Sequence, residues 1–179
     1  MEKFKALKRY FGYDSFRKGQ EEIIDTVLSG SDILAVMPTG AGKSLCFQLP
    51  AILSEGTAIV ISPLISLMKD QIASLEENGI RAATINSLTG KGEFAHIMEC
   101  AEKGLYKLLY VAPERLETPS FISLSEKLNI SMICIDEAHC VSQWGQDFRS
   151  SYLKIASFIS SLDKRPVVGA YTATATKNV

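Results

Sequence analysis

Residues 37–44, Met-Pro-Thr-Gly-Ala-Gly-Lys-Ser, bring together residue types that bind phosphate groups. Gly40 and Gly42 let the backbone curl until its N–H groups face phosphate oxygens. The N-terminus of a following helix adds partial positive charge there. In such a loop Lys43 reaches the β- and γ-phosphates of a nucleotide, and the Ser44 hydroxyl is a ligand for Mg²⁺. We therefore predict phosphate contacts from Thr39, Gly40, Ala41, Gly42, Lys43 and Ser44.

One residue of this loop departs from the pattern G-x-x-x-x-G-K-[ST], because Met37 occupies the position of the first glycine. The two later glycines, the lysine and the serine are all present. The departure therefore leaves the residues of the phosphate cradle intact.

Two adjacent carboxylates, Asp136 and Glu137, follow the apolar run at residues 131–135. A phosphate-binding loop needs a carboxylate at the end of a neighbouring strand to hold hydrated Mg²⁺, and Asp136 fits that need. Glu137 can orient the water that attacks the γ-phosphorus. An acid pair alone is more typical of a helix N-terminus, but Lys43, Asp136 and Glu137 together predict nucleotide hydrolysis.

Six short apolar runs are rich in Ile and Val without polar alternation, which is typical of strands buried on both faces of a sheet. They cover residues 32–37, 57–62, 81–86, 106–111, 131–135 and 166–172. Helix-compatible segments alternate with them at residues 19–28, 43–53, 64–78, 94–104, 121–128 and 152–162, and residues 89–93 are predicted to form a loop. The alternation predicts an α/β fold with a mostly parallel sheet and helices on both faces.

The composition of the 179-residue chain, 46% apolar, is enough for one sizeable core. A net charge of −1 excludes a global basic field, so any nucleic-acid contact must come from a local patch or from outside this chain. The four cysteines form no CxxC pair, which predicts reduced, mostly buried thiols and no zinc site. No apolar stretch approaches the ~20 residues that span a bilayer, so we expect a soluble, cytoplasmic protein without a membrane partner.

Three sequence motifs resemble motifs I, II and III of superfamily-two helicases: MPTGAGKS (37–44), DEAH (136–139) and YTATAT (171–176). SPLISLMKDQ (62–71) and YVAPERL (110–116) resemble motifs Ia and Ib of the same superfamily. FGYDSFRKGQ (11–20) and CVSQWGQDFR (140–149) narrow the resemblance to the RecQ family of DNA helicases. It extends from about Phe11 to Thr176 and implies a RecA-like P-loop domain.

The resemblance identifies FGYDSFRKGQ as an adenine-recognition element. It implies that Gln20 makes a bidentate amide pair with adenine, while Tyr13 and Arg17 stack on the ring. The chemistry is sensible, since an amide matches the adenine edge and flat side chains match its π-face. Phe16 is expected to belong to the core.

The resemblance also implies contacts with single-stranded DNA from the segments around residues 62–71 and 110–116. The residues implied are Ser62, Lys69, Glu114 and Arg115; a turn with a local ion pair is the alternative for Pro-Glu-Arg. His139, Thr172 and Thr174 are expected to link the nucleotide site to the DNA side. The alternatives are a histidine that caps local backbone and hydroxyls that satisfy a strand end.

CVSQWGQDFR resembles the aromatic-rich loop by which RecQ helicases sense single-stranded DNA. Its implied contacts are Trp144, Gln146, Phe148 and Arg149, since exposed rings stack on bases; burial of Trp144 under the sheet is the alternative. Gln146 stands where the family has histidine and Ser150 where it has proline. A hydrogen-bonding role survives the first change, whereas a titrating role does not.

A RecQ enzyme has two RecA-like lobes with ATP between them, and residues 1–179 resemble the N-terminal, ATP-binding lobe only. The resemblance implies ATP and Mg²⁺ as cofactors. It implies single-stranded DNA, DNA duplex junctions and a second lobe as partners, and a nucleoid location in a bacterium. Nothing in the chain resembles the zinc-binding, winged-helix or accessory regions, and we expect the isolated lobe to be inactive or weakly active. A lobe of a DEAH-type RNA helicase and a binding module without turnover remain alternatives.

Overall fold

A six-stranded sheet forms the centre of the chain, as the computed structural model of residues 2–141 and 150–174 describes it. All five strand pairs are parallel, which confirms the predicted α/β fold. The strands are β1 (Ile33–Val36), β2 (Thr57–Ile61), β3 (Ala82–Ile85), β4 (Leu108–Val111), β5 (Ile130–Ile135) and β6 (Val167–Thr172).

The strand order is β1-β6-β5-β2-β4-β3. Every residue of β2 and of β4 is buried, as expected for apolar strands covered on both faces. The carboxyl ends of all these strands point to one edge of the sheet, because the strands are parallel. The phosphate loop after β1, the acid pair after β5 and the end of β6 are neighbours at that edge, since β6 lies between β1 and β5.

Seven α-helices surround the sheet in the described part of the chain. They are α1 (Glu2–Ala6), α2 (Gln20–Leu28), α3 (Leu45–Leu53), α4 (Ile65–Glu77), α5 (Lys91–Glu102), α6 (Pro119–Ser125) and α7 (Ile155–Ser161). Val27, Phe47 and Met68 place α2, α3 and α4 on one face of the sheet. Ile97 and Phe121 place α5 and α6 on the other face with α7, so the prediction of helices on both faces is confirmed.

Two features differ from the sequence prediction. The loop predicted at residues 89–93 is wrong beyond Gly90, because α5 begins at Lys91 and Phe94 N already donates to Gly90 O. The helix α1, which continues as a π-helical turn over Leu7–Phe11, was not predicted. This segment was not predicted because Lys3, Lys5 and Lys8 interrupt its short apolar pattern. Leu7 in this segment is nevertheless completely buried.

The four cysteines lie in two kinds of surroundings. Cys46, Cys134 and Cys140 are buried, whereas Cys100 on α5 is partly exposed and its Sγ lies 3.6 Å from His96 Nε2. Burial raises the pKa of the Cys46 thiol to about 12, and burial likewise raises the pKa of Cys134. The prediction of mostly buried thiols is confirmed.

No helix in residues 2–141 and 150–174 is both long enough and apolar enough to cross a bilayer.

Candidate nucleotide-binding site

The backbone of the loop between β1 and α3 requires glycine at two positions. Gly40 has φ +81° and Gly42 has φ +82°, in the left-handed region that side chains disfavour. Met37 has no positive φ, and it is buried with Cys46 in the core below the loop. A methionine is therefore accommodated where the motif has its first glycine, because the backbone there makes no demand for glycine.

The two loop glycines provide a matched pair of substitutions. Gly42→Ala is expected to lower the free energy of unfolding by about 1–2 kcal/mol from the left-handed backbone, and further because its Cβ would lie 2.4 Å from Gln20 Nε2. Gly40→Ala carries only the first cost, since nothing lies within 4 Å of its Cβ. Chemical denaturation of both variants measures the difference, and equal losses would contradict the placement of Gln20 beneath Gly42.

The side chain of Lys43 lies between the two carboxylates that follow β5. Lys43 Nζ is 3.1 Å from Asp136 Oδ1 and 2.7 Å from Glu137 Oε1. The Asp136 side chain is only 2% exposed and that of Lys43 16%. Tyr152 OH donates to Asp136 O at 2.8 Å and so fixes the end of the strand. The structure therefore brings together the three residues predicted to be catalytic, although 94 positions separate Lys43 from Glu137.

Burial and ionic attraction have opposite effects on the pKa values of both Asp136 and Lys43. Burial dominates for Asp136 and attraction dominates for Lys43. Burial raises the pKa of Asp136 above its ordinary value of 3.8, and the nearby Lys43 charge only partly offsets it. Burial opposes the charge of Lys43, but the two carboxylates outweigh it and the pKa of Lys43 is raised. Burial therefore disfavours the ionised form of Asp136, as is common for acids at functional sites.

Asp136→Asn is expected to leave the melting temperature unchanged or to raise it when no nucleotide is present. The folded chain holds the Asp136 proton more tightly than the unfolded chain, so stability falls as pH rises from 3.8 through the raised pKa. The advantage of the asparagine variant should therefore grow over that window and then stay constant. Melting curves of both proteins against pH measure it, and a variant that is less stable at neutral pH would contradict the expectation.

Glu137 has φ +48° and is the one non-glycine residue with positive φ in the described ranges. Its N–H donates to Asp136 Oδ1 at 3.0 Å, and its carboxylate contacts Lys43. A glutamate in the left-handed region costs about 1–3 kcal/mol, and such strain concentrates at functional sites. In this conformation the Glu137 carboxylate lies 2.7 Å from Lys43 Nζ.

His139 connects the acid pair to the end of β6. Its Nδ1 lies 3.3 Å from Glu137 Oε2 and 3.0 Å from Thr172 Oγ1. The Thr172 hydroxyl donates to Thr174 O at 2.9 Å and accepts from Thr174 N at 3.2 Å. Because the Thr172 hydroxyl already donates its hydrogen to Thr174 O, the Nδ1 atom of His139 is assigned as the donor to Thr172 Oγ1. His139 thus contacts side chains of both segments, while the Thr172 hydroxyl also satisfies backbone groups at the end of β6, as the alternative had it. The coupling role of these residues stays a prediction.

The predicted adenine element lies against the phosphate loop. Gln20 Nε2 donates to Ala41 O at 3.1 Å and to Gly42 O at 3.2 Å, and Gln20 Oε1 accepts from Arg17 N at 2.8 Å. Arg17 Nη1 donates to Gly40 O at 2.7 Å. Gln20 is 2% exposed, so its amide is engaged with protein backbone, whereas Tyr13 is 52% exposed. Phe16 packs beside the cluster of α1, α2 and α3 as predicted.

A cavity of about 520 Å³ lies over these residues, large enough for a nucleotide. Its lining combines the loop with the acid pair and the adenine element; among the residues are Tyr13, Arg17, Gln20, Lys43, Ser44, Asp136 and Glu137. In residues 2–141 and 150–174 no group of three or more His, Cys, Asp and Glu side chains could hold a metal. One hydroxyl and one carboxylate fit Mg²⁺ nevertheless, because this ion takes its other oxygen ligands from water and phosphate.

The residues predicted to contact DNA are in different surroundings. Lys69 on α4 and Glu114 are exposed, but Ser62 is buried and its hydroxyl has no partner among the described residues. A contact from the Ser62 side chain would therefore require this segment to move. Arg115 Nε donates to Asn86 O at 3.0 Å, so its guanidinium holds the loop after β3 instead of forming the local ion pair considered above. Trp144, Gln146, Phe148 and Arg149 lie outside the described residues.

The sequence model of the DEAD/DEAH box helicase family matches residues 17–179. The chain belongs to the DEAD/DEAH box helicase family. The match covers the phosphate loop, the acid pair and the last strand, so the three segments that meet at the carboxyl edge of the sheet all fall within it.

The sequence is also similar to individual helicases. It is 51% identical to the ATP-dependent DNA helicase RecQ of Bacillus subtilis (strain 168) over 174 residues, which is 97% of this chain and 29% of that protein. It is 50% identical to the RecQ protein of Pasteurella multocida (strain Pm70), over 95% of this chain and 27% of that protein. The predicted resemblance to RecQ helicases is confirmed. The chain spans less than a third of the length of these relatives.

Solved structures confirm the fold. A hypothetical ATP-dependent RNA helicase from Sulfolobus tokodaii has a TM-score of 0.75 at 18% identity, covering 99% of this chain and 52% of that chain. The DUF1998 helicase MrfA bound to DNA and AMPPNP has a TM-score of 0.74 at 23% identity, covering 99% of this chain and 27% of that chain. The DEAD/DEAH box chain therefore has the fold of a helicase RecA-like lobe.

Three residues at or near the candidate site were not singled out by the sequence. Gln48 on α3 and Gln71 on α4 line the cavity, and Tyr152 fixes the strand end through Asp136 O. A signal for Gln48 was present, since it lies one helical turn after Ser44 and projects from the same face. Gln71 is the last residue of the SPLISLMKDQ motif, but the spacing of that motif does not indicate that Gln71 lines the cavity.

Proposed function

We propose that this lobe binds ATP with Mg²⁺ and that, within a longer protein, it contributes to an ATP-dependent DNA helicase. The observation that carries the proposal is the position of Lys43 Nζ between Asp136 and Glu137 at the floor of the cavity. A lysine there faces both the loop that can receive phosphates and the acids that can serve Mg²⁺ and water. The similarity to RecQ proteins supports this reading.

The residues have separate proposed roles. The backbone N–H groups of residues 39–44 and the ammonium of Lys43 bind the phosphates. Ser44 and Asp136 would hold Mg²⁺, which when bound neutralises phosphate charge. Glu137 orients the attacking water and accepts its proton. Burial beneath the cavity excludes bulk water from Asp136, so the charges act in a medium of low dielectric constant.

Nucleotide binding must rearrange the ion pair, because Lys43 cannot keep both carboxylate contacts while it binds phosphate oxygens. Phosphate oxygens carry negative charge like the carboxylates they replace, so Lys43 keeps anionic partners and stays charged during this exchange. Gln20 must similarly release the loop carbonyls before its amide can pair with adenine. Arg17 and the exposed ring of Tyr13 are then available to stack on the base.

The proposal predicts that the chain binds ATP more tightly than GTP. The Gln20 amide presents one donor and one acceptor, which match the acceptor and the donor on the edge of adenine. The same edge of guanine has two acceptors, so one of them would face the amide oxygen. Titration with fluorescent ATP and GTP analogues in Mg²⁺ measures both affinities, and Gln20→Ala should remove the preference. Glu22→Ala, an exposed change on the same helix, is the matched control. Equal affinities that Gln20→Ala leaves unchanged would rule out the adenine assignment.

We further propose that the lobe contacts single-stranded DNA through the ends of β2 and β4, with duplex junctions and a second RecA-like lobe as partners of the longer protein. Exposed Lys69 and Glu114 support a polar surface there, and His139 with Thr172 and Thr174 supports a link to it from the acid pair. Such a protein would act inside the cell, at the chromosome. Binding of single-stranded DNA against RNA of the same sequence tests the choice of nucleic acid.

A further inference from the structure

Three polar side chains form a chain of hydrogen bonds beneath the nucleotide cavity. Gln48 Nε2 donates to Tyr110 OH at 3.0 Å, and Tyr110 OH donates to Gln71 Oε1 at 2.8 Å. A longer contact of 3.4 Å joins Gln48 Nε2 directly to Gln71 Oε1. We call these residues the Gln48–Tyr110–Gln71 network.

The network lies between the apolar core and the nucleotide cavity. Tyr110 is 0% exposed and Gln48 7%, and Tyr110 packs in the same apolar cluster as Phe47 and Met68. Burial raises the pKa of Tyr110, so its hydroxyl remains a hydrogen-bond donor throughout the ordinary pH range. Apolar side chains could fill this volume without the desolvation cost of three polar groups. The hydrogen bonds of this network instead fix the relative positions of the elements that carry it.

The network joins three elements with different neighbours. Gln48 lies on α3 one turn after Ser44, and both glutamines line the nucleotide cavity. Gln71 lies on α4 two positions after Lys69, and Tyr110 on β4 precedes the turn at Pro113–Arg115. The network thus holds the helix of the phosphate loop against the two segments proposed to contact DNA.

We propose that Gln48, Tyr110 and Gln71 are positioning residues that transmit nucleotide binding from α3 to the DNA-contacting segments on α4 and β4. Gln48 Nε2 lies within reach of two acceptors, Tyr110 OH and Gln71 Oε1. A small displacement of α3 by bound phosphates can therefore move the donor from one acceptor to the other. That exchange is a discrete change, which packed apolar contacts alone would not provide. The inference rests on the proposed function.

The test measures the mutual effect of two ligands on the 179-residue chain. One ligand is a fluorescent, non-hydrolysable ATP analogue with Mg²⁺, and the other is a labelled single-stranded thymidine oligonucleotide. Each is titrated with and without saturating amounts of its counterpart. We expect each ligand to change the affinity of the other by about fivefold or more, and by the same factor in both directions.

Tyr110→Phe removes one hydroxyl and keeps the buried ring. We expect it to keep the nucleotide affinity measured without DNA within about twofold while the mutual effect falls to near unity. Gln71→Met removes the acceptor at similar volume and should abolish the mutual effect as well. The double variant should lose no more than either single variant, because the two changes interrupt the same network.

Tyr171→Phe is the matched control, because Tyr171 is buried in the same cluster and its hydroxyl has no partner in the described part of the chain. It should retain the full mutual effect. A mutual effect that survives both Tyr110→Phe and Gln71→Met would overturn the inference, as would two ligands that bind without affecting each other. A chain that binds neither ligand would overturn the proposed function and this inference with it.

Discussion

Replacement of Lys43 by methionine is expected to lower the melting temperature strongly and to abolish binding of a Mg²⁺–ATP analogue. The change leaves Asp136 and Glu137 without the cation that lies 3.1 Å and 2.7 Å from them. Removing one partner of a buried ion pair costs about 3–5 kcal/mol, which in a domain of this size is a loss of roughly 6–20 °C. Nucleotide binding fails because no side chain replaces the phosphate contact of Lys43.

Calorimetry and nucleotide titration measure the two effects. The stability loss should shrink at acid pH, where the carboxylates become protonated and no longer need a cation. Lys103→Met is the matched control, since Lys103 forms an exposed ion pair with Glu99 on α5 and its loss should change little. A Lys43→Met protein with unchanged melting temperature and intact nucleotide affinity would contradict both the proposed ion pair and the phosphate site.

Glu137→Gln is expected to bind ATP normally and to hydrolyse it about 10²–10⁴ times more slowly, the usual contribution of a general base. Glutamine has the length of glutamate and its carbonyl oxygen can still accept from Lys43, so the melting temperature should change little. Because the isolated lobe is expected to be inactive or weakly active, the rate of phosphate release is measured in the longer protein, with enzyme in excess over ATP. Glu126→Gln, an exposed change on the far side of the sheet, is the control. Equal rates for the two variants would show that Glu137 takes no part in hydrolysis.

Much of the fold was predictable because the strands are short, apolar and separated by helices. Continuous apolar runs identified β2 and β4, whose residues are all buried. The sequence failed at α1, where the two lysines, Lys3 and Lys5, outnumber the one buried residue, Ala6. It also failed at the start of α5, where the glycines and charges of residues 90–93 are as compatible with a loop as with a first helical turn.

The site was predictable in its residue types but not in its contacts. The motifs indicated Lys43, Asp136 and Glu137, and parallel topology brought them to one edge. Spacing carries no information on the positive φ of Glu137 or on the hydrogen bonds of Gln20 to the phosphate loop, since both depend on tertiary packing. The roles of Trp144 and its neighbours stay predictions.

The surroundings of the cysteines make the natural sequence convenient for spectroscopy. Burial and a raised pKa protect Cys46 and Cys134 from alkylation, and Cys140 is buried as well. A maleimide fluorophore should therefore attach selectively to Cys100, which is partly exposed on α5. Because α5 packs on the face of the sheet opposite α3 and α4, such a dye would report ligand-driven movements without occupying the nucleotide cavity, and no cysteine would have to be added or removed.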